Sequence, residues 1–171
     1  MPEETTIKKI KRSEFATFIN TTPGTTATYA RMGKGITGQT VSYNPTVNTE
    51  QYINEDSGTS SIDAYAPSIN TPQTCYAGEA VFEYIDGLRR KRAIGADAET
   101  DVVLVYIYAK SGTEGNAYHA EKNKCTISIE EFGGDAGAPV SITYTVNFNG
   151  DPVIGTATIT DGALTFTEAT A

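Results

Sequence analysis

The sequence predicts a mainly β protein, a β-sandwich or partial barrel flanked by one α-helix. Three observations predict it. Residues 140–148 alternate strictly: Val140, Ile142, Tyr144, Val146 and Phe148 are apolar, while Ser141, Thr143, Thr145 and Asn147 are polar. That is a strand with one dry and one wet face. Only 20% of the 171 residues are charged, so the polarity falls to Thr, Ser, Asn and Gly, which suit strands and turns. And one stretch alone, 77–93, has helical periodicity. Hydrophobic residues make up 39% of the chain, enough for a core within a single domain.

Residues 1–24 read as an N-terminal arm. Ile7 and Ile10 stand among Lys8, Lys9, Lys11 and Arg12, and Phe15 and Phe18 precede a turn-forming cluster, 20–24. Residues 25–171 then form the domain. A strand is expected over 25–32, ended by Gly33, Gly35 and Gly38, and a short one over 40–43, punctuated by Asn44-Pro45. Runs 49–54 and 59–66 flank Glu55-Asp56-Ser57-Gly58, which reads as a hairpin turn. Both faces of that hairpin are rather polar, so within 44–76 it is expected to project from the body, with Pro67 and Pro72 closing the region in an irregular segment.

The helix is expected over 77–93. Val81, Phe82, Ile85 and Leu88 share one face. Glu79, Glu83 and Asp86 precede Arg89, Arg90, Lys91 and Arg92, an order that complements the helix dipole, and Gly95 is placed to terminate it. Residues 102–108 are apolar nearly throughout and predict a strand buried on both faces. A long polar loop is expected over 110–124. Cys125, Ile127 and Ile129 then alternate with Thr126, Ser128 and Glu130. Asn149-Gly150 predicts a two-residue hairpin after the 140–148 strand, with 153–160 pairing back. Asp161-Gly162 predicts another turn before a last strand, 163–167.

Charge and motif content remove several function classes. A net charge of −8 argues against nucleic-acid binding by bulk electrostatics. Two distant cysteines, Cys75 and Cys125, make no disulfide framework and read as thiols in a reducing cytoplasm. No segment reads as a membrane span or signal peptide. Gly33–Gly38 matches G-x-G-x-x-G, but Thr40, Val41 and Ser42 follow in place of a helix, so it reads as a turn without a phosphate. His119 is the single histidine, in a polar context with no nucleophile motif. Asp97, Glu99 and Asp101 lack the glycine and terminal glutamate of a calcium loop. Glu130-Glu131 are adjacent strand residues, expected on opposite sides. No catalytic residue, metal site or cofactor is expected, and the chain does not read as an enzyme.

The segments Ala66-Pro67-Ser68-Ile69, 84–95 (YIDGLRRKRAIG) with Asp97-Ala98-Glu99-Thr100, 131–137 (EFGGDAG) and 148–153 (FNGDPV) carry a family likeness. Through them the chain resembles the major tail tube proteins of long, non-contractile-tailed phages. That resemblance implies a β-sandwich with a flanking helix, a homo-oligomer of hexameric rings stacked into a hollow tube, and a location in the virion after assembly in the host cytoplasm. The implied partners are the tape-measure protein, the tail-tip and tail terminator proteins, and DNA that passes without specific binding.

On that basis Ser141, Thr143, Thr145 and Asn147, with Thr126, Ser128 and Glu130, are candidates to face the lumen. Glu50, Glu55, Asp56 and Asp63 on the hairpin, and Arg89, Arg90 and Arg92 on the helix, are candidates for contacts between rings. A tube subunit of a contractile tail or secretion apparatus is the runner-up. A monomeric glycan-binding β-sandwich stands behind it, since the chain has 10 Tyr but no Trp platform.

Overall fold

The computed structural model describes residues 6–113 and 115–170. In chain order the strands are β1 Phe15–Asn20, β2 Tyr29–Arg31, β3 Thr40–Ser42, β4 Pro45–Glu50, β5 Thr59–Tyr65 and β6 Ser68–Thr74. Helix α1, Ala80–Lys91, follows, then β7 Glu99–Lys110, β8 Ala117–Gly133, β9 Ser141–Thr160 and β10 Ala163–Glu168. Eight strands form one antiparallel sheet in the order β2-β1-β7-β8-β9-β6-β3, with β10 also on β9, and β4 and β5 pair only with each other. The expected mainly β class with one α-helix is what the chain adopts.

Strand β7 organises the interior. Val102 and Leu104 point into one hydrophobic cluster, Val103 and Val105 into a second, and all four are buried. The apolar run therefore has no wet face, as its sequence requires. The first cluster lies under α1, where Val81, Ile85 and Leu88 pack with Ile69, Ile142, Tyr144 and Val146. The second joins Phe18, Ala120, Ala157 and Leu164.

Phe15–Asn20, placed by sequence in the arm, is a central strand between β2 and β7. Ile19 enters the first cluster and Phe18 the second, so this run is as two-faced as β7. The expected strand over 25–32 shrinks to β2, because the threonines before it bond the loop instead. Asn20 Oδ1 accepts from the Thr22 and Thr28 amides at 3.0 and 3.3 Å, and the Thr22 hydroxyl donates to the Thr26 carbonyl at 2.8 Å. Such local side-chain bonds compete with a sheet ladder.

The irregular segment expected around Pro67 and Pro72 is strand β6. Thr74 donates its amide away from β9, to the Gly35 carbonyl at 2.8 Å. Residues two apart point the same way, so Pro72 also turns its nitrogen from β9, past the end of β3, where no donor is needed. Gly35 explains the glycine-rich turn. It has φ 79°, and a Cβ there would stand 2.3 Å from the Thr74 carbonyl oxygen.

Two further expectations change. The polar loop expected over 110–124 is largely the first half of β8, where the small Ala120 and half-buried Tyr118 face the second cluster. Asn149-Gly150 does not reverse the chain. β9 runs on through it, and 153–158 pairs with the start of β8, so the pair acts as a bulge opposite Asn123. Asp161-Gly162 does form the expected two-residue turn, with φ 50° and 79°, between Thr160 and Ala163.

Helix α1 starts three residues later and ends two earlier than expected. Glu79 caps it, accepting from the Val81 and Phe82 amides at 3.1 and 2.7 Å. Gly95 is not the terminator. Arg92 takes the left-handed position at φ 49°, while the Arg92 and Ala93 amides close onto the Arg89 and Leu88 carbonyls, a Schellman ending. Beneath the cap, Tyr144 donates to Gln73 Oε1 at 3.2 Å, and Gln73 donates to Glu79 at 3.1 Å and to the Lys34 carbonyl at 3.1 Å. The buried end of the core is thereby hydrogen-bonded.

Two stability measurements follow. Arg92→Gly removes a left-handed penalty larger than glycine's own entropy cost, and is expected to raise urea-unfolding stability by about 0.5–1 kcal/mol. Burial pushes the Cys125 thiol up to about 12 from an ordinary 9.0, and pushes the Tyr144 phenol up as well. These groups stay neutral when folded and ionise earlier when unfolded, so the unfolded chain loses protons first. Stability is expected to fall as pH rises above about 9, and Cys125→Ala is expected to flatten the part of the decline between the two thiol values.

Candidate functional site

The feature that fits neither core nor ordinary surface is one face of the four strands β8, β9, β6 and β3. Register pairs Thr126, Asn147 and Ser68 in one row, and Ser128, Thr145, Asn70 and Thr40 in the next. Cross-strand partners share a face, so these side chains stand together, opposite the buried Ile69, Ile142, Tyr144 and Val146. Thr143 pairs with Pro72, and Ser141 with Thr74, further along.

This face is hydrogen-bonded within itself. Asn70 Nδ2 donates to Glu130 Oε2 at 3.2 Å and to Thr145 Oγ1 at 3.1 Å, and the Thr145 hydroxyl donates to Glu130 Oε1. Asn147 Nδ2 donates to Ser128 Oγ at 3.1 Å, and Asn149 Nδ2 to Thr126 Oγ1 at 2.8 Å. All seven expected lumen residues thus lie on one sheet face. A register shift between Ile129 and Glu131 puts a bulge at Glu130. Strict alternation fails there, and Glu131 stands opposite Thr143 rather than on the far side. The face is uncharged between this acidic end and Lys124, which pairs with Asn149 at the other end.

Two backbone edges flank the face. β3 is the last strand of the sheet, and the register between β7 and β8 ends at Glu99 and Thr126, so 127–133 of β8 pair with β9 alone.

The inter-ring candidates divide. Every position of β4 and β5 is exposed, including Val47, Ile62 and Tyr65, and Tyr52 and Ile53 at the tip are exposed too. The hairpin therefore projects, although β4 begins at Pro45, before the expected 49. Glu50 accepts from the Tyr52 hydroxyl at 2.9 Å, and Asp63 accepts from Ser61 at 3.3 Å. Asp56 is exposed, whereas Glu55 is half-buried in the turn.

On α1, Asp86 is nearly buried, its side chain 7% exposed. It binds Arg89 Nη2 and Arg90 Nε, each at 2.7 Å. Arg89 also lies over the Phe132 ring, 3.9 Å from its centroid. Arg89 is thus a fixed part of the subunit surface. Arg90, with 73% of its side chain exposed, and Arg92 extend outward.

The other polar motifs stay apart. Among the described residues no group of three or more His, Cys, Asp or Glu side chains is placed to hold a metal ion, and no helix is long and apolar enough to cross a membrane. His119 is exposed on β8. Cys75 is partly buried and Cys125 buried, and both are free thiols.

No protein-family model matches the chain, and no curated protein matches its sequence. Among solved structures, the chain superposes on the tail of an empty GTA particle with C6 symmetry at a TM-score of 0.59. Identity is 9%, with 84% of this chain and 97% of that chain covered. The chain has a tail-tube fold. It also overlaps the sheath-tube complex of an extracellular contractile injection system, PVC, in the extended state. There the TM-score is 0.45 and identity 10%, covering 88% of this chain and 93% of the other.

Sequence reasoning missed the β3 and β6 part of the polar face. Pro67 and Pro72 hid β6, and three residues are too few for β3 to show a period. The alternation of Ile69, Thr71 and Gln73 as buried positions was a usable signal, weakened because two of the three are polar.

Asp86→Ala is expected to lower urea-unfolding stability by about 2 kcal/mol. Almost all of this comes from the charged hydrogen bonds to half-buried Arg89, since exposed Arg90 adds little.

Proposed function

We propose that the chain is a tail tube subunit that assembles with copies of itself into hexameric rings, stacked as a hollow conduit for DNA. The observation that carries this reading is the internally hydrogen-bonded face of β8, β9, β6 and β3, uncharged along its middle and open at both edges, in a chain of tail-tube fold. Edge-to-edge pairing of copies, β3 against 127–133 of β8, closes the four-stranded units into a barrel with that face inside. Closure also removes the exposed edges that a lone subunit carries.

A wall of hydroxyls and amides with few charges suits DNA passage. Cations on it would bind phosphates, and the chain's net −8 repels them. The side chains are tied to one another, so they offer few free donors to a passing strand. The projecting hairpin, with Glu50, Glu55, Asp56 and Asp63, reaches a neighbouring ring, where Arg90 and Arg92 supply outward cations; Arg89 shapes the surface around them. The tape-measure protein occupies the same lumen before DNA, and the tail-tip and terminator proteins close the two ends. The same ring would serve a non-contractile phage tail, and the non-contractile reading follows from the segment likenesses around α1.

Two measurements test this. Concentrated protein under negative-stain electron microscopy is expected to show hollow tubes or six-fold rings. Persistent monomers, even with tail-tip complex or tape-measure protein added as nucleus, would sink the reading. Thr143→Lys with Thr145→Lys is expected to leave assembly intact while cutting DNA delivery by about 10-fold or more, because each lumen cation holds phosphate. Unchanged delivery would place that face elsewhere.

A further inference from the structure

An apolar cleft of about 690 Å³ opens where the β4–β5 hairpin joins the body. Tyr43, Tyr65, Leu104 and Phe148 line it, with the carboxylates of Glu121 and Asp151. No lysine or arginine is among its lining residues. Asn123 forms part of it at the register shift of β8, and its amide nitrogen is buried without a hydrogen-bond partner. An unpaired buried donor is costly, and native chains generally give it a partner. A bulge is also where strands re-aim side chains towards something outside their own ladder.

Two segments of the chain project apolar side chains without covering them. One is the hairpin tip, where Tyr52 and Ile53 stand beside Glu50, Glu55 and Asp56. Its acids would meet Glu121 and Asp151 at the cleft. The other is the N-terminal segment, where Ile7 is 99% and Ile10 57% exposed among Lys8, Lys9, Lys11 and Arg12. Its base is anchored on its own chain: Arg12 donates to the Phe15 and Gln39 carbonyls at 2.6 and 3.1 Å, and Lys8 pairs with Glu14 at 3.1 Å. Lys11 has φ −80° and ψ 149°, the polyproline II region. Continued back along the segment, at three residues per turn, that conformation would put Ile7 and Ile10 on one side, with lysines flanking them.

We propose that the cleft receives residues 6–12 from a second copy of this chain. Ile7 and Ile10 enter between Tyr43, Tyr65 and Phe148, Lys9 and Lys11 face Glu121 and Asp151, and a carbonyl of the arriving segment gives the Asn123 amide its partner. The contact is heterologous, arm on one copy and cleft on the next, so it propagates rather than closing a pair. It rests on the proposed self-assembly and names one of its joints.

The test separates the two ideas. A fluorescein-labelled peptide of residues 6–12 is titrated by anisotropy into full-length protein carrying Ile7→Asp and Ile10→Asp, whose own arms cannot compete. Saturable binding is expected, weakened about 10-fold or more by Glu121→Gln with Asp151→Asn. The same peptide with both isoleucines replaced by aspartate is expected not to bind.

In a Cys75→Ser background, one variant carries Ile10→Cys and another Ala64→Cys, at the hairpin side of the cleft. Mixed and oxidised, they are expected to give a disulfide-linked heterodimer, which forms only between copies. Absence of both peptide binding and the heterodimer overturns the inference, whether or not electron microscopy shows tubes. A disulfide that forms only within one chain, when both cysteines are placed on it, overturns it as well. Peptide binding and heterodimer without tubes would uphold this joint and remove the tube reading.

Discussion

Strand β7 has no face it can show to water, and the rest of the fold is arranged around that constraint. Val102, Val103, Leu104 and Val105 are consecutive and all buried. A single sheet with one covered side would leave half of them wet, at roughly 1.5–3 kcal/mol for each such side chain. The chain therefore builds two cores, one under α1 and one against β10, with β1 beside β7 taking the same double burial through Phe18 and Ile19. One amphipathic helix suffices because it has to roof only one side. The long β8–β9 pair bends past both cores, which is why β9 bonds β6 along its first part and β10 along its last.

The polar face follows from the same arrangement. Where β8 and β9 extend beyond β7, α1 covers one side and, among the described residues, nothing covers the other. Such a surface normally carries charges of both signs for solubility. Here it carries Thr, Ser and Asn bonded laterally to one another, with Glu130 held by Thr145 and Asn70. Lateral bonds between short side chains make a smooth wall and leave few donors pointing outward. Charges are dense instead on the basic arm, on the hairpin around Glu50, Glu55, Asp56 and Asp63, and at the end of α1.

What the sequence made legible depended on how completely one rule governed each segment. β7 was plain because burial on both faces leaves only apolar residues. The second half of the β8–β9 pair was plain because one face is dry and the other polar. The start of β8 was hidden because only Tyr118 and the small Ala120 face the second cluster, too little to mark a period among Lys, Glu and His. β1 was hidden by its neighbours: Phe15–Asn20 lies between a basic segment and a Thr-rich loop, and six residues buried on two sides show no alternation. The Asn149-Gly150 pair misled because a left-handed glycine serves a bulge as well as a hairpin, and the choice is made by which strand β9 can bury itself against. Of the candidate site, alternation marked the polar rows from which the seven lumen candidates were taken, and the resemblance alone suggested their role. Their partners on β3 and β6 were not, because register between strands distant in sequence is a tertiary fact.

The free edges carry the argument from fold to assembly. A monomer that ends a sheet in β3 on one side, and in the unpaired stretch 127–133 on the other, exposes main-chain donors and acceptors at two places on the same polar sheet. Monomeric proteins blunt such edges with proline, inward charges or a covering segment. Here Pro72 lies beyond β3 and Glu130 bulges from β8, but the intervening backbone is left open. Two different edges cannot satisfy each other across a two-fold axis, since a two-fold contact repeats the same patch on both sides. They can satisfy each other around a ring. In a closed ring every copy gains both contacts at once, and the polar face has only one place to go, which is the inside.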